Sequence, residues 1–116
     1  MTNILKLERT NRLNSLRNQR QNAADAQKER VDEILKIADA VQLENPFGAL
    51  HDALRVVSKA QGIMETLVTF DLLTLAEYER MTENIIGTEA RVNYLIHEKR
   101  RIHSENLKKN KEATKA

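Results

Sequence analysis

Residues 43–48, with the sequence LENPFG, contain the only proline of the 116-residue chain and divide the chain into helical segments. Proline has no backbone N–H and disfavours a helical conformation in the residue before it, but its fixed φ angle suits the first turn of a helix. Asparagine is a favourable N-cap residue. This stretch therefore predicts that a first helix ends near Leu43 and that a second helix begins at Pro46, with Asn45 as its N-cap.

A second boundary is predicted at residues 74–77, whose sequence TLAE has the T-x-x-E form of a capping box. In a capping box the threonine and glutamate side chains each accept a hydrogen bond from a backbone N–H that the first turn of a helix leaves free. We therefore predict a single helical domain over residues 1–110. Its three helices are expected at about residues 3–43, 46–70 and 75–110, followed by a frayed basic tail at 111–116.

Composition excludes several other classes of fold and site. The chain has no cysteine and no tryptophan, and aromatic residues make up 3% of it. Disulfide frameworks, zinc–thiolate sites and cysteine nucleophiles are therefore excluded. The low content of aromatic residues and chain breakers also argues against a β-sandwich or a β-barrel. The predicted fold class is all-α, a three-helix antiparallel bundle, because short connections place consecutive helices side by side.

Charge is distributed unevenly, although the formal net charge is only +2. Residues 1–30 hold seven basic and three acidic side chains, residues 31–90 hold four and eleven, and residues 91–116 hold eight and three. The first and third helices are predicted to be longer than the second, so we expect them to overhang it at one end as a coiled-coil-like extension. That end would gather the two basic segments, 1–20 and 98–116.

The second helix carries two adjacent apolar seams at three- and four-residue spacing, which indicates a central helix packed against both others. Its second half would lie beside residues 17–30 of the first helix, where the only apolar side chains are alanines. Burying a Val, Leu or Phe side chain is worth about 1.5–3 kcal/mol, so we predict that a second copy of the chain, or another protein partner, covers this half. The predicted self-association residues are Ile63, Met64, Leu67, Phe70 and Leu73. The alternative is cover within the chain, by Ala23, Ala24, Ala26 and the alkyl stems of Arg20 and Lys28.

The basic ends of the first and third helices suggest nucleic-acid binding. Arginine and lysine contact phosphates, and arginine and asparagine also read base edges in the major groove. In the first helix, arginines occur over residues 9–20 and asparagines occupy another strip at three- and four-residue spacing. The candidate nucleic-acid-binding residues are Arg9, Arg12, Arg17, Arg20, Lys99, Arg100, Arg101, Lys108 and Lys109. The simpler alternative is a solvated helical surface with intrahelical ion pairs.

No pattern in the sequence indicates catalysis. There is no glycine-rich phosphate loop and no G-x-S-x-G element, and the three histidines are too dispersed for a metal site. We predict a small non-enzymatic interaction protein, an adaptor, regulator or accessory factor that acts through helix–helix contacts as a homodimer. A nucleic-acid-binding accessory protein is the alternative. We expect a cytoplasmic location, and no cofactor, metal, small-molecule substrate or membrane contact.

Overall fold

The computed structural model describes residues 2–115, which fold into three α-helices joined by two short loops. Helix α1 comprises Thr2–Asp39, α2 comprises Phe47–Thr69 and α3 comprises Leu75–Lys115. No strand occurs in this described range. The all-α, three-helix antiparallel fold predicted from the sequence is confirmed.

The loop between α1 and α2 is longer than the sequence predicts, because α1 ends at Asp39 and not near Leu43. The Asn45 side chain explains the early end. Its Oδ1 accepts a hydrogen bond from the Gln42 N–H at 2.7 Å, and the Asn45 N–H donates to the Gln42 carbonyl at 3.1 Å. Asn45 therefore closes a turn and does not cap α2. Pro46 takes the N-cap position instead, and its carbonyl accepts the first hydrogen bonds of the helix.

Helix α2 ends in a Schellman motif, which reverses the chain toward α3. The Leu72 N–H donates to the Leu67 carbonyl at 2.9 Å, and the Asp71 N–H donates to the Val68 carbonyl at 3.0 Å. Asp71 has a φ of 54°, the left-handed conformation that this motif requires after the cap residue. Glycine usually occupies this position because a Cβ atom is unfavourable there.

Helix α3 begins with the predicted capping box. The Thr74 N–H donates to Glu77 Oε1 at 3.0 Å, and the Glu77 N–H donates to Thr74 Oγ1 at 3.1 Å. At its other end α3 is helical through Lys115, whereas the sequence predicts an end near residue 110 and a frayed tail at 111–116. No glycine or proline follows Gly87, so the chain holds no strong breaker that would stop the helix earlier. Ala116, the last residue of that tail, lies outside the described residues.

One apolar core is shared by the three helices. Helix α2 packs extensively against both α1 and α3, as predicted for a central helix, and α1 and α3 contact each other less. Where α1 and α3 meet, Thr88 Oγ1 donates to Asp39 Oδ2 at 3.2 Å. The largest fully buried side chains are Leu50, Met81, Val31, Val57 and Val92.

The two long helices extend beyond α2 at opposite ends of the bundle, so the prediction that they overhang together at one end is wrong. At one end Arg20 Nη2 donates to the Phe70 carbonyl at 3.0 Å, and α1 continues past α2 toward its N-terminus. At the other end the Phe47 and His103 ring centres are 6.4 Å apart, and α3 continues toward its C-terminus. The molecule is 97 Å long and 22 by 17 Å across. Because α1 and α3 run in the same direction, the N-terminus of one and the C-terminus of the other must lie apart.

Candidate interaction surfaces

The five residues predicted for self-association do not form an open seam. Met64 and Leu67 are buried in the core of the chain, and Ile63 and Leu73 are half-buried. Phe70 is the only exposed member of the set, at 57%. Most of the seam is therefore covered within the monomer, which removes the reason for placing a second copy on it.

Two of the α1 residues that the sequence offers as cover for this half of α2 are shielded from solvent. Ala24 is buried, and the Lys28 side chain is only 13% exposed although it carries a charge. Lys28 is compensated by Glu77 at the start of α3, since Lys28 Nζ lies 2.9 Å from Glu77 Oε2. Ala23 and Ala26, which the sequence also offers as cover, are exposed. Of the five residues that the sequence offers as cover within the chain, only Ala24 and Lys28 are shielded from solvent, and Arg20 is exposed and donates to the Phe70 carbonyl.

Glu77 joins the start of α3 to α1. The hydrogen bond from the Thr74 N–H, with a smaller effect from the Lys28 ammonium, lowers the pKa of Glu77 from 4.5 to about 2. Both contacts favour the ionised carboxylate, so Glu77 is charged at neutral pH. A single carboxylate thus supports both the helix cap and the ion pair that lets Lys28 cover α2.

The first half of α1 has no helix beside it. We call residues 2–20 the α1 arm, and every side chain from Asn3 to Arg20 is exposed. At about 100° per residue, its five cations fall within an arc of about 140° on one face of the helix. These cations are Lys6, Arg9, Arg12, Arg17 and Arg20, of which Arg20 is engaged within the chain by its hydrogen bond to the Phe70 carbonyl. The asparagines of the arm fall on the opposite face together with the exposed Leu7 and Ile4, so the arm has one basic side and one uncharged side.

Leucines share the basic face of the α1 arm. Leu5, Leu13 and Leu16 fall within the same arc, and each is more than half exposed. Further along α1, the same face carries Val31 and Ala38, which are buried in the bundle. The arm therefore continues the packing face of α1, but without a neighbour in the described part of the chain.

At the α3 end of the molecule, two of the five candidate residues are engaged within the chain. Lys99 Nζ donates to the Leu43 carbonyl at 3.1 Å and lies 5.4 Å from the centre of the Phe47 ring. Arg101 bridges two glutamates of its own helix, at 2.8 and 2.7 Å. Both side chains are therefore engaged within the chain.

The other three candidates on α3 are exposed, but they are spread around the helix. Arg100, Lys108 and Lys109 lie about 80–180° apart when the helix is viewed along its axis. The nine candidate nucleic-acid-binding residues are therefore divided between two ends of a 97 Å molecule. The four on the α1 arm share one face, and on α3 Arg100, Arg101 and Lys108 fall within an arc of about 100°.

A groove between α2 and α3 is a second unpartnered apolar surface. It has a volume of about 390 Å³, and all its lining residues belong to these two helices. None of the lining residues in this described groove is basic. The apolar wall residues are Val68, Tyr78 and Ile86, of which Ile86 is 61% exposed, and the acidic residues are Glu65 and Glu89. We call this surface the α2–α3 groove.

The sequence contains these groove residues but does not reveal their exposure. Tyr78 and Ile86 lie in the apolar stripe of α3, and Val68 lies in an apolar seam of α2. Helical periodicity identifies an apolar face, but it does not show which part of that face a neighbouring helix leaves open. The sequence shows only that both apolar stripes are wider than contact with one neighbouring helix requires.

A larger cleft, of about 530 Å³, separates α1 from α3 and carries charges of both signs. Its lining includes Asp32, Asp39 and Glu83 together with Lys36 and Arg80. Opposite charges at short range largely cancel, so this cleft has no strong preference for an anion or a cation. It is a weaker candidate than the α1 arm or the α2–α3 groove.

Within residues 2–115, no group of three or more His, Cys, Asp or Glu side chains is arranged to hold a metal ion. None of the three described helices combines the length and apolar character needed to cross a membrane. Comparisons of the chain with protein-family models, with curated proteins and with solved structures give no match.

Proposed function

We propose that this chain is a non-enzymatic interaction protein that acts through the α1 arm, by helix–helix contact with a partner surface that combines apolar and acidic side chains. The observation that supports this is the shared face of the arm, where three leucines and five cations are exposed together. Such a contact suits an adaptor, regulator or accessory factor.

The two kinds of side chain on the arm would have different roles in binding. Leucines supply the apolar area, which is worth about 1.5–3 kcal/mol for each side chain that becomes fully buried. The cations favour acidic partners and disfavour basic ones, and they increase the rate of encounter at low salt. Binding that requires both the leucines and the cations of the arm would distinguish the proposed function.

Nucleic-acid binding by the same arm is a second candidate function. It is favoured by the single-sided arrangement of five cations on a free helix about 28 Å long, because the major groove accommodates an α-helix. The α3 cations cannot contribute to the same short site, since they lie at the other end of the molecule. Phosphate contacts would use the cations of the arm and leave its leucines without a role.

Two variants of the full chain separate these functions. One replaces Leu13 and Leu16 by alanine, and the other replaces Arg9 and Arg12 by glutamine. The probes are a synthetic amphipathic helix with a leucine seam flanked by glutamates, the same helix with lysines in place of the glutamates, and a short DNA duplex. Fluorescence anisotropy at two salt concentrations measures each affinity.

For helix–helix contact, the acidic helix should bind, the lysine helix should not, and the leucine variant should weaken binding by roughly tenfold or more. A matched control replaces Asn14 and Asn18, on the opposite face of the arm, by alanine and should bind normally. Failure of the acidic helix to bind the monomeric chain, or binding that the leucine variant leaves unchanged, would refute the proposal. Steeply salt-dependent duplex binding that is lost only in the arginine variant would assign the arm to nucleic acid.

A further inference from the structure

The α1 arm and the α2–α3 groove are complementary in charge. The arm carries five basic residues and one acidic residue, Glu8. The groove is lined by Glu65 and Glu89, with no basic residue among its described lining. Two arms repel each other, and so do two grooves, whereas an arm and a groove attract. Electrostatics therefore favours a contact between unlike surfaces.

The apolar residues of the two surfaces also match in spacing. Leu5 and Leu13 are separated by about 12 Å along α1, and Tyr78 and Ile86 are separated by the same distance along α3. Val68 faces the same groove from α2. An arm about 28 Å long is sufficient to cover the groove, whose α3 side extends over about 17 Å.

The groove lies next to the point where the arm leaves the bundle. Arg20 holds the base of the arm at the Phe70 carbonyl, and the groove begins at Val68 and Tyr78. Within one chain the arm extends away from the groove, so it cannot fold back onto it without breaking α1. A two-fold axis that crosses the molecule at the base of the arm, perpendicular to the long axis of the molecule, places two bundles end to end. Each arm then lies along the groove of the other copy.

We propose that the partner of the α1 arm is a second copy of this chain, and that the two copies exchange arms so that each arm fills the partner's α2–α3 groove. This inference rests on the proposed function of the arm. The contact is reciprocal, which doubles the buried area compared with one arm in one groove and brings it closer to the size of stable interfaces. Each groove then holds a fourth helix against α2 and α3.

The mass of the full chain tests this arrangement. Sedimentation velocity over a series of concentrations, at low and high salt, should show a species of twice 13.3 kDa whose dissociation constant rises with salt. Leu13→Glu in the arm and Ile86→Glu in the groove should each weaken association by at least roughly tenfold. Both side chains are exposed in the monomer, so circular dichroism should show unchanged helicity.

Matched controls introduce the same charge elsewhere on the same helices. Asn14→Glu lies on the opposite face of the arm, and Tyr94→Glu lies on an exposed face of α3 outside the groove. Both should retain the dimer. Loss of association in either control to the same degree as in Leu13→Glu or Ile86→Glu would show that added negative charge alone is responsible, and it would overturn the inference.

Mixing the two interface variants identifies which surfaces pair. A mixed dimer of Leu13→Glu and Ile86→Glu retains one intact contact, between the unmodified arm of one copy and the unmodified groove of the other. Native mass spectrometry should therefore detect mixed dimers above the level of either variant alone. Arm-to-groove pairing predicts that mixed dimers are enriched. Mixed dimers that are not enriched would therefore overturn this pairing.

The outcomes separate this inference from the function on which it rests. A mass of 13.3 kDa at every concentration, or a dimer that neither variant weakens, overturns the exchange of arms. In the exchanged dimer each arm is covered, so binding of the acidic helix is measured on Ile86→Glu, whose arm is unmodified and whose association is weakened. A monomer that binds this helix would therefore refute the inference and leave the proposed function standing, whereas a monomer that does not bind it would refute both.

Discussion

Replacing Leu67 by alanine tests whether the apolar half of α2 belongs to the core of the monomer or to an interface between copies. Leu67 is 4% exposed in the monomer, so the substitution removes apolar contacts and leaves a cavity. Phe70, from the same predicted set, is 57% exposed and provides a matched comparison. The two substitutions should differ sharply in their effect on stability.

The expected loss follows from burial. A core leucine-to-alanine substitution lowers the free energy of unfolding by roughly 2–5 kcal/mol, depending on how far the surroundings relax. Leu67 lies near the end of α2 beside the half-buried Ile63 and Leu73, which can move, so we expect about 2–3 kcal/mol. This corresponds to a decrease in Tm of roughly 6–15 °C for a chain of this size. Phe70→Ala should cost about 1 kcal/mol, because less than half of its side chain is buried.

Urea unfolding followed by circular dichroism measures both variants, and light scattering gives their mass under native conditions. Each curve is recorded at two protein concentrations, because a loss of association changes the transition with concentration whereas a core cavity does not. The reasoning is refuted if Leu67→Ala unfolds within about 0.5 kcal/mol of the wild type, or if Phe70→Ala is the more destabilised variant.

Three further predictions concern local features of the helices. The pKa of Glu77 is lowered from 4.5 to about 2, so its stabilising effect is complete above pH 4.5 and is lost as the pH falls toward 2. In urea unfolding, the stability advantage of the wild type over Glu77→Gln should therefore shrink across this pH interval. A constant advantage would contradict the assignment. Gly62→Ala and Gly87→Ala should each raise the free energy of unfolding by about 0.5–1 kcal/mol, since an added Cβ meets nothing within 4 Å; a lower midpoint in urea would reveal a contact absent from the structure. Asp71→Gly should raise the midpoint by the equivalent of about 0.5 kcal/mol because its φ is 54°, and no change would mean that the aspartate side chain offsets its backbone strain.

The sequence predicts the fold best where a boundary has a local chemical signature. Residues 74–77 contain both partners of the capping box, and the structure forms both of its hydrogen bonds. Asn45 is a less certain signal, because its side chain can either cap a helix or bond to a nearby backbone group. Here it binds the Gln42 N–H, which ends α1 four residues before the predicted end. Residue types alone do not show which of these two contacts of the Asn45 side chain is the stronger.

The apolar half of α2 illustrates what helical periodicity cannot reveal. The polar sequence of residues 17–30 suggests that α1 cannot cover it. In the structure the Lys28 side chain is only 13% exposed, and it pairs with Glu77 from a distant part of the chain. This contact joins two helices at one end of the bundle, so it appears only after their register is fixed. Counting apolar residues in α1 underestimates such cover, since a charged side chain also has an apolar stem.

The positions of the basic ends follow from helix direction, and they limit what the chain can bind. The Debye length at physiological salt is about 8 Å, far shorter than the 97 Å length of the molecule, so the two ends act independently on any compact partner. The α1 arm gathers five cations on one exposed helix face. Residues 31–90, which form much of the bundle, hold eleven acidic and four basic side chains. Exchange of arms would therefore place a cationic face of one copy against the acidic part of the other, and the uneven charge of the sequence would favour that association over contact between like ends.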